Sequence, residues 1–258
     1  MEIVGLIPAG GQARRLQPLP CSKELMPIGF RQMPDGSKKP KVVAQVLLDK
    51  YAAAGASKVF FVLRDGKWDI PQYFGNGKNY RMDFAYLLMD EPHGVPYTID
   101  QAYSFINRRK VLLGFPDILF EPKDAYSRLD SVQFGTGADL VVGGFELSSK
   151  EQAAKCDMID FDNDGNLTDI VIKPKSTNLT YSWIIALWTP VFTEFMHGFL
   201  KKELEDREEG SKEIYLGEVF KEAIKAGLTI KTCLFPNETF KDIGTSNELS
   251  EAWKGHDY

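Results

Sequence analysis

Residues 8–28 read PAGGQARRLQPLPCSKELMPI and bring two adjacent glycines, Arg14, Arg15 and Lys23 together just after a short apolar run, Ile3–Ile7. Exposed backbone N–H groups at such a turn form a nest for an anion. Arginine adds a planar fork for phosphate oxygens and lysine a compact point charge. The same residues would equally form a surface turn with solvated cations. The segment is neither a GxxxxGK[ST] loop nor GxGxxG, because the run from Gly10 is GGQARR. A dinucleotide-dependent oxidoreductase is therefore disfavoured.

Two aspartates stand where strands end. Asp117 follows VLLGFP (111–116), and Asp242 sits in FKDIGT. Open α/β sheets bind ligands at the carboxyl ends of their strands. Either residue alone would serve as a turn or helix cap. As a pair they suit Mg²⁺, which takes one or two carboxylates plus substrate phosphates. Lys173 ends a hairpin strand and points either into a cleft at the sheet edge or to solvent. Residues 160–165, DFDNDG, imitate the start of an EF-hand loop, but Val171 stands where a bidentate Glu is required. A hairpin turn, and not a calcium site, is expected there. His93, His197 and His256 have no metal-ligand spacing, and no Ser/His/Asp order stands out.

The elements that must carry these residues follow from periodicity. Buried strands are predicted at Ile3–Ile7, Val59–Leu63, Met82–Leu88, 111–115, 140–145, Ser182–Trp188 and Ile230–Phe235, the last strand of the chain. Helical patterns lie at Val42–Tyr51, ended by Gly55, and at Thr98–Phe105, Pro190–Lys202, Leu216–Ala226 and Ser246–Trp253. Residues 158–172 alternate on both sides of an Asp-Gly turn, as in a hairpin. Residues 29–41 are polar and rich in Gly, Pro and Lys, and read as a long surface loop. Residues 201–213, acidic and basic by turns, read as a solvated helix end and loop. Strands alternating with helices predict one α/β domain with a largely parallel sheet.

At 258 residues, 43% hydrophobic and 26% charged, the composition is that of a globular protein. A net charge of −5 argues against a general nucleic-acid surface. No apolar run reaches the roughly 20 residues of a membrane helix, and Glu2 in the first segment is unlike a signal peptide. The three cysteines are far apart in sequence and read as reduced thiols in a cytoplasmic protein.

In order along the chain, these motifs resemble the sugar-1-phosphate nucleotidylyltransferases, or NDP-sugar pyrophosphorylases. That family opens with a strand, AGGxGTRLxPLT and KxLxPI; Arg15, Leu16, Pro18, Leu19, Lys23, Leu25, Pro27 and Ile28 match. KKPKVVAQVLLDKYAAAGASKVFFVL resembles its KPMI helix and next strand, EPHG its EPxG turn, and VLLGFPDILF its VLxGD segment. DFDNDGNLTDIVIKP resembles FDxDGxVxxIxEKP, and FKDIGTSNELSEA resembles WxDIGTPEDLxEA. The resemblance implies a Rossmann-like, three-layer fold with a mostly parallel sheet and an embedded hairpin region. It further implies a nucleotide half of about 1–120, an acceptor half of about 121–258, and no β-helix extension.

The implied reaction is Mg²⁺-dependent: a nucleoside triphosphate and a sugar 1-phosphate, or related phosphomonoester, give an NDP-sugar and pyrophosphate. By resemblance, Arg15 and Lys23 contact the triphosphate, while Ala9, Gly10, Gly11, Met89, Pro92 and Gly94 line the nucleotide site. Asp117 and Asp242 hold the metal, and Lys173 and Trp183 meet the acceptor. No nucleic acid or membrane partner is expected, and a homo-oligomer is left open. The sequence departs from the pattern at Ala13 (usually Gly), Arg14 (usually Thr), Met89 (usually a base-reading Gln), Ile172 (usually Glu) and Trp183 (commonly Gly). Asp117 is also displaced by the stretch Gly-Phe-Pro-Asp. These departures suggest an unusual base or acceptor. They also keep open a second expectation, a nucleotide- or nucleotide-sugar-binding regulatory relative.

Overall fold

The computed structural model describes residues 1–33, 35–90, 93–147, 149–205 and 212–254. A nine-stranded mixed sheet runs through the molecule. Nine of the thirteen strands among the described residues form it, and the other four make two separate two-stranded sheets. The first half of the chain supplies β1 (Ile3–Pro8), β2 (Pro27–Gln32), β3 (Lys38–Val42), β4 (Lys58–Arg64), β5 (Asp83–Met89), β6 (Lys110–Leu113) and β7 (Ile118–Phe120). Its helices are α1 (Val43–Ala53), α2 (Asp69–Phe74), α3 (Val95–Asp100) and α4 (Tyr103–Ile106). The second half supplies α5 (Ala125–Thr136), β8 (Leu140–Glu146), β9 (Asp157–Phe161), β10 (Leu167–Ile172) and β11 (Tyr181–Trp188). It continues through α6 (Pro190–Glu205), α7 (Leu216–Lys225), β12 (Ile230–Phe235), β13 (Phe240–Asp242) and α8 (Ser246–Lys254).

Strands β6, β1, β4 and β5 lie side by side and are all parallel. Buried on both faces, β1 has one apolar set for each helical layer. Val4 and Leu6 pack with Ile99, Phe192 and Phe220 on the α3, α6 and α7 side. Ile7 packs with Leu47, Tyr51 and Tyr126 on the α1 and α5 side. Three layers, helix on sheet on helix, result. β11 joins the halves by pairing antiparallel to β6 on one edge and to β8 on the other. Its burial is nearly continuous from Ser182 to Trp188.

The hairpin expected at 158–172 forms as β9 and β10, paired antiparallel. Three expectations are corrected. Residues 29–41 are not a loop but largely the ribbon β2–β3, paired antiparallel around an Asp35-Gly36 turn with Gly36 at φ +80°. Its outer residues are mostly exposed, Phe30 included, so no alternation of apolar and polar residues marked it. Ile28, one of its buried side chains, packs with Leu249 and Ala252 of α8, and Trp253 Nε1 donates to Pro27 O at 2.7 Å. The single helix expected at 98–105 is two short ones, because a turn intervenes in which Ala102 N–H donates to Ile99 O. Ile230–Phe235 is not the last strand, since β13 follows and pairs with β7. Helix α5 went unread because its buried stripe is narrow, with only Ala125, Tyr126 and Leu129 buried. Part of the 201–213 segment, residues 206–211, lies outside the described residues.

Gly5 fixes how closely α1 approaches β1. A Cβ there would fall 2.6 Å from Tyr51 Cε2, and Tyr51 is fully buried with its hydroxyl donating to Leu6 O at 2.9 Å. Gly5→Ala is therefore expected to destabilise the fold by about 1–3 kcal/mol, the usual range for overpacking. Urea denaturation checks this; an unchanged midpoint contradicts it.

Candidate functional site

The loops after β1, β4, β5 and β6 open at the shared carboxyl end of the parallel strands, and two cavities meet there. The larger, about 910 Å³, is lined by Gly10, Gly11, Arg14, Lys23, Met89, Gly94 and Asp117, among others. The smaller, about 200 Å³, is lined by Asp157, Lys173, Trp183, Tyr215 and Asp242, among others. Val95, Phe115 and Glu213 border both.

At their junction stands a cluster of opposite charges. Lys23 Nζ forms a short ion pair with Asp117 Oδ2, each side chain only 17% exposed. Asp117 and Asp242 come together through the β7–β13 ladder, in which Asp242 is registered with Ile118 and Ile243 N–H donates to Asp117 O at 2.8 Å. The stretched Gly-Phe-Pro-Asp spacing thus still delivers Asp117 to the cluster. Arg15 reaches the same place from the glycine loop. A Cβ on Gly244 would lie 2.5 Å from an Arg15 guanidinium nitrogen and 3.1 Å from Asp242 Oδ1.

Burial, and then the Asp117 charge, push the Asp242 carboxyl up to about 6, against the pull of Lys23 and Arg15. Burial works against the Lys23 ammonium as well. There the adjacent Asp117 outweighs it, with help from Glu24 and Asp242, and the lysine titrates above its ordinary range.

Lys23 is flanked by a partly buried support on one side and a buried one on the other. Ser22 donates its backbone N–H and hydroxyl to Asp69 of α2, at 2.6 and 2.7 Å. Lys67 Nζ pairs with Glu24 Oε1 at 2.6 Å, the two side chains 6% and 2% exposed. Burial raises the Glu24 pKa and lowers that of Lys67, in each case against the ion pair's own pull.

The expected site residues divide as follows. Ala9 is fully buried, and Gly10 and Gly11 line the larger cavity. The buried Met89 side chain lies directly against Gly10, where a Cβ would have to displace the Met89 methyl group. Gly94, at φ +110°, leaves no room for a Cβ beside the Ile214 carbonyl. Pro92 lies outside the described residues. Lys173 and Trp183 line the smaller cavity, Lys173 Nζ standing 4.2 Å from the Tyr215 ring centroid. The two adjacent arginines part: Arg14 lines the larger cavity, and Arg15 turns toward Asp242 and Gly244. Ala13 sits at φ +50°, a conformation glycine adopts more readily.

Sequence reading missed Arg64, Asp65, Asp90 and Glu213 on the larger cavity and Asp157 on the smaller. Arg64 and Asp65 directly follow the strand predicted at Val59–Leu63, which was the available signal. Glu213 belonged to a run read as solvated. Among the described residues no group of three or more His, Cys, Asp or Glu converges as a metal cluster.

Residues 4–256 match the family model for nucleotidyl transferases, and the chain belongs to that family. The Low-salt glycan biosynthesis nucleotidyltransferase Agl11 of Haloferax volcanii is 22% identical over 255 residues, which are 96% of this chain. The chain spans only 64% of the length of that relative. Among solved structures, a UDP-glucose pyrophosphorylase complexed with UDP-glucose aligns with a TM-score of 0.80 at 19% identity, covering 98% of this chain and 97% of that one. A Bacillus anthracis protein assigned as a glucose-1-phosphate thymidylyltransferase, in complex with sucrose, aligns with a TM-score of 0.79 at 16% identity. The cover there is 97% of this chain and 94% of that one. Both structures share the fold. No helix among the described residues is long and apolar enough to cross a membrane.

Two outcomes follow from the charge cluster. Asp117→Asn removes a like charge beside Asp242, so the Asp242 carboxyl is expected to titrate below about 6 in that variant. Carboxyl-carbon NMR reads this, and an unmoved midpoint contradicts the coupling. The sign for stability is fixed too. Because the folded pKa of Asp242 lies above its unfolded value, its contribution favours the folded state as pH falls below about 6. Separately, Lys67→Met strands the Glu24 charge and should cost about 3 kcal/mol in urea unfolding, with partial recovery on adding Glu24→Gln. A neutral Lys67→Met contradicts the pairing.

Proposed function

We propose that this chain transfers a nucleotidyl group from a nucleoside triphosphate to a phosphomonoester, releasing pyrophosphate. The observation that carries the reading is the cationic and acidic cluster of Arg15, Lys23, Asp117 and Asp242 at the junction of two cavities. The nucleotide half, about 1–120, contributes the larger cavity. The acceptor half, about 121–258, contributes most of the smaller one.

In this reading the triphosphate lies along the Gly10–Gly11 turn, and its phosphates meet Arg14, Arg15 and Lys23. The base end lies toward Met89 and Gly94. Lys173 holds the phosphate of the acceptor. An acceptor oxygen attacks the α-phosphorus in line, a new P–O bond forms, and the bond to pyrophosphate breaks. Such an acceptor is already largely dianionic near pH 7, so the step needs no nucleophilic side chain. The chain supplies position and charge neutralisation. Asp117 and Asp242, two partly buried hard oxygen donors beside a phosphate site, fit Mg²⁺ and would hold it there. When bound, that ion neutralises phosphate charge. The kinship with nucleotidyl transferases supports a phosphomonoester acceptor of the sugar 1-phosphate kind. The widely separated free cysteines support a cytoplasmic setting.

The test is pyrophosphate release from each nucleoside triphosphate with a panel of phosphomonoesters and Mg²⁺. Lys23→Ala is expected to lower kcat/KM by about 100-fold or more, the usual cost of one preorganised electrostatic group. An undiminished rate contradicts the assignment. Binding of triphosphates without turnover would favour a regulatory relative.

A further inference from the structure

The smaller cavity has an unusual balance of walls for a neutral sugar. Its apolar and aromatic side is made by Phe115, Trp183 and Tyr215, with Ile184 and Phe240 behind. Trp183 is 7% exposed and packs on Phe115 and Phe220, with ring centroids 5.9 and 5.0 Å away. A hexose would bring several hydroxyls, each needing a partner once water is excluded. Few neutral partners are offered. Ser182 is fully buried and its hydroxyl is spent on the Asp157 backbone carbonyl at 3.0 Å. Lys155 is paired with Glu248.

Two polar atoms in this cavity's lining, Asp157 Oδ1 and Trp183 Nε1, are buried without a well-formed hydrogen bond, although the Trp183 side chain stands close enough to favour the ionised Asp157 carboxylate. An unpaired buried carboxylate oxygen costs free energy unless a ligand completes it. Aromatic faces beside a carboxylate form a receptor for an ammonium group, through cation–π and Coulomb attraction together. A cation is already accommodated on one of these rings, where Lys173 Nζ stands over Tyr215. Lys173 also attracts the Asp157 carboxylate; once an acceptor phosphate draws on that lysine in the proposed reaction, Asp157 gains room for a second, cationic end of the same acceptor.

Resting on the nucleotidyl-transfer reading, we infer that the acceptor is a phosphomonoester carrying an amine or quaternary ammonium group, its phosphate on Lys173 and its cation between Asp157, Phe115 and Trp183. Burial raises the Asp157 pKa, with Lys173 and then Trp183 acting in the opposite direction. A bound cation adds to that opposition and keeps the carboxylate ionised. The transfer chemistry is unchanged: the phosphate oxygen of the acceptor attacks, and pyrophosphate leaves.

The experiment measures pyrophosphate release with Mg²⁺, the best nucleoside triphosphate and four acceptors: phosphocholine, phosphoethanolamine, glucosamine 1-phosphate and glucose 1-phosphate. At least one cationic acceptor should exceed glucose 1-phosphate by 10-fold or more in kcat/KM. Which one does so separates a quaternary ammonium, a primary amine and an amino sugar. Asp157→Asn should reduce that preference by 10-fold or more through the acceptor KM, with the triphosphate KM unmoved. Glucose 1-phosphate as the preferred acceptor overturns the inference and leaves nucleotidyl transfer standing. So does an Asp157→Asn variant, folded by circular dichroism, with an unchanged preference. Turnover with none of the acceptors, and no thermal stabilisation by any triphosphate, overturns both.

Discussion

The arrangement turns on two carboxylates, Asp117 and Asp242, brought together and partly buried where substrates carrying several negative charges would have to bind. Burial first, and then the charge of the other carboxylate, raise the cost of ionising such a group, and together they push Asp242 up to about 6. Cations must therefore stand beside it, and the chain delivers them from the glycine loop and the segment after it. Lys23 pairs with Asp117, and Arg15 closes on Asp242 and Gly244. Much of the surrounding packing fixes this cluster. Asp69 holds Ser22, Lys67 holds Glu24, and the β7–β13 ladder sets the two aspartates in register. Few of these contacts touch a substrate in the proposed mechanism, yet each limits how far Lys23 and the aspartates can drift.

The sheet places the two cavities on either side of that cluster. Parallel strands β6, β1, β4 and β5 point their carboxyl ends at the larger one. β11, antiparallel to its neighbours, carries Trp183 into the smaller one and binds the second half to the first through β6 and β8. Gly94 lets the turn before α3 approach the backbone of Ile214, so the rims of both cavities are joined there.

Much of this was legible in the residues. Ile3–Ile7 and 111–115 are short apolar runs because β1 and β6 are buried on both faces, and Asp-Gly flanked by alternation gave the β9–β10 hairpin. Arg15, Lys23, Asp117 and Asp242 stand in recognisable motifs, and the structure brings them to one place. The illegible parts share a physical cause: they depend on partners distant in sequence. The β2–β3 ribbon shows no apolar alternation along its exposed length and is held by α8, more than 200 residues later in the chain. Helix α5 shows too narrow a buried stripe to announce itself. The division between Arg14 and Arg15 is set by which side of the loop meets Gly244, and adjacent arginines carry no mark of that. Lys67 and Glu24 look like ordinary surface charges until packing buries them against each other.

The central claim is a single in-line displacement in which position and charge, and no side-chain nucleophile, carry the reaction. The stereochemical course at the α-phosphorus tests it most directly. With a nucleoside triphosphate made chiral by sulfur at the α-position, a single in-line displacement gives inversion of configuration in the product. Retention would require a covalent nucleotidyl-protein intermediate and would contradict it.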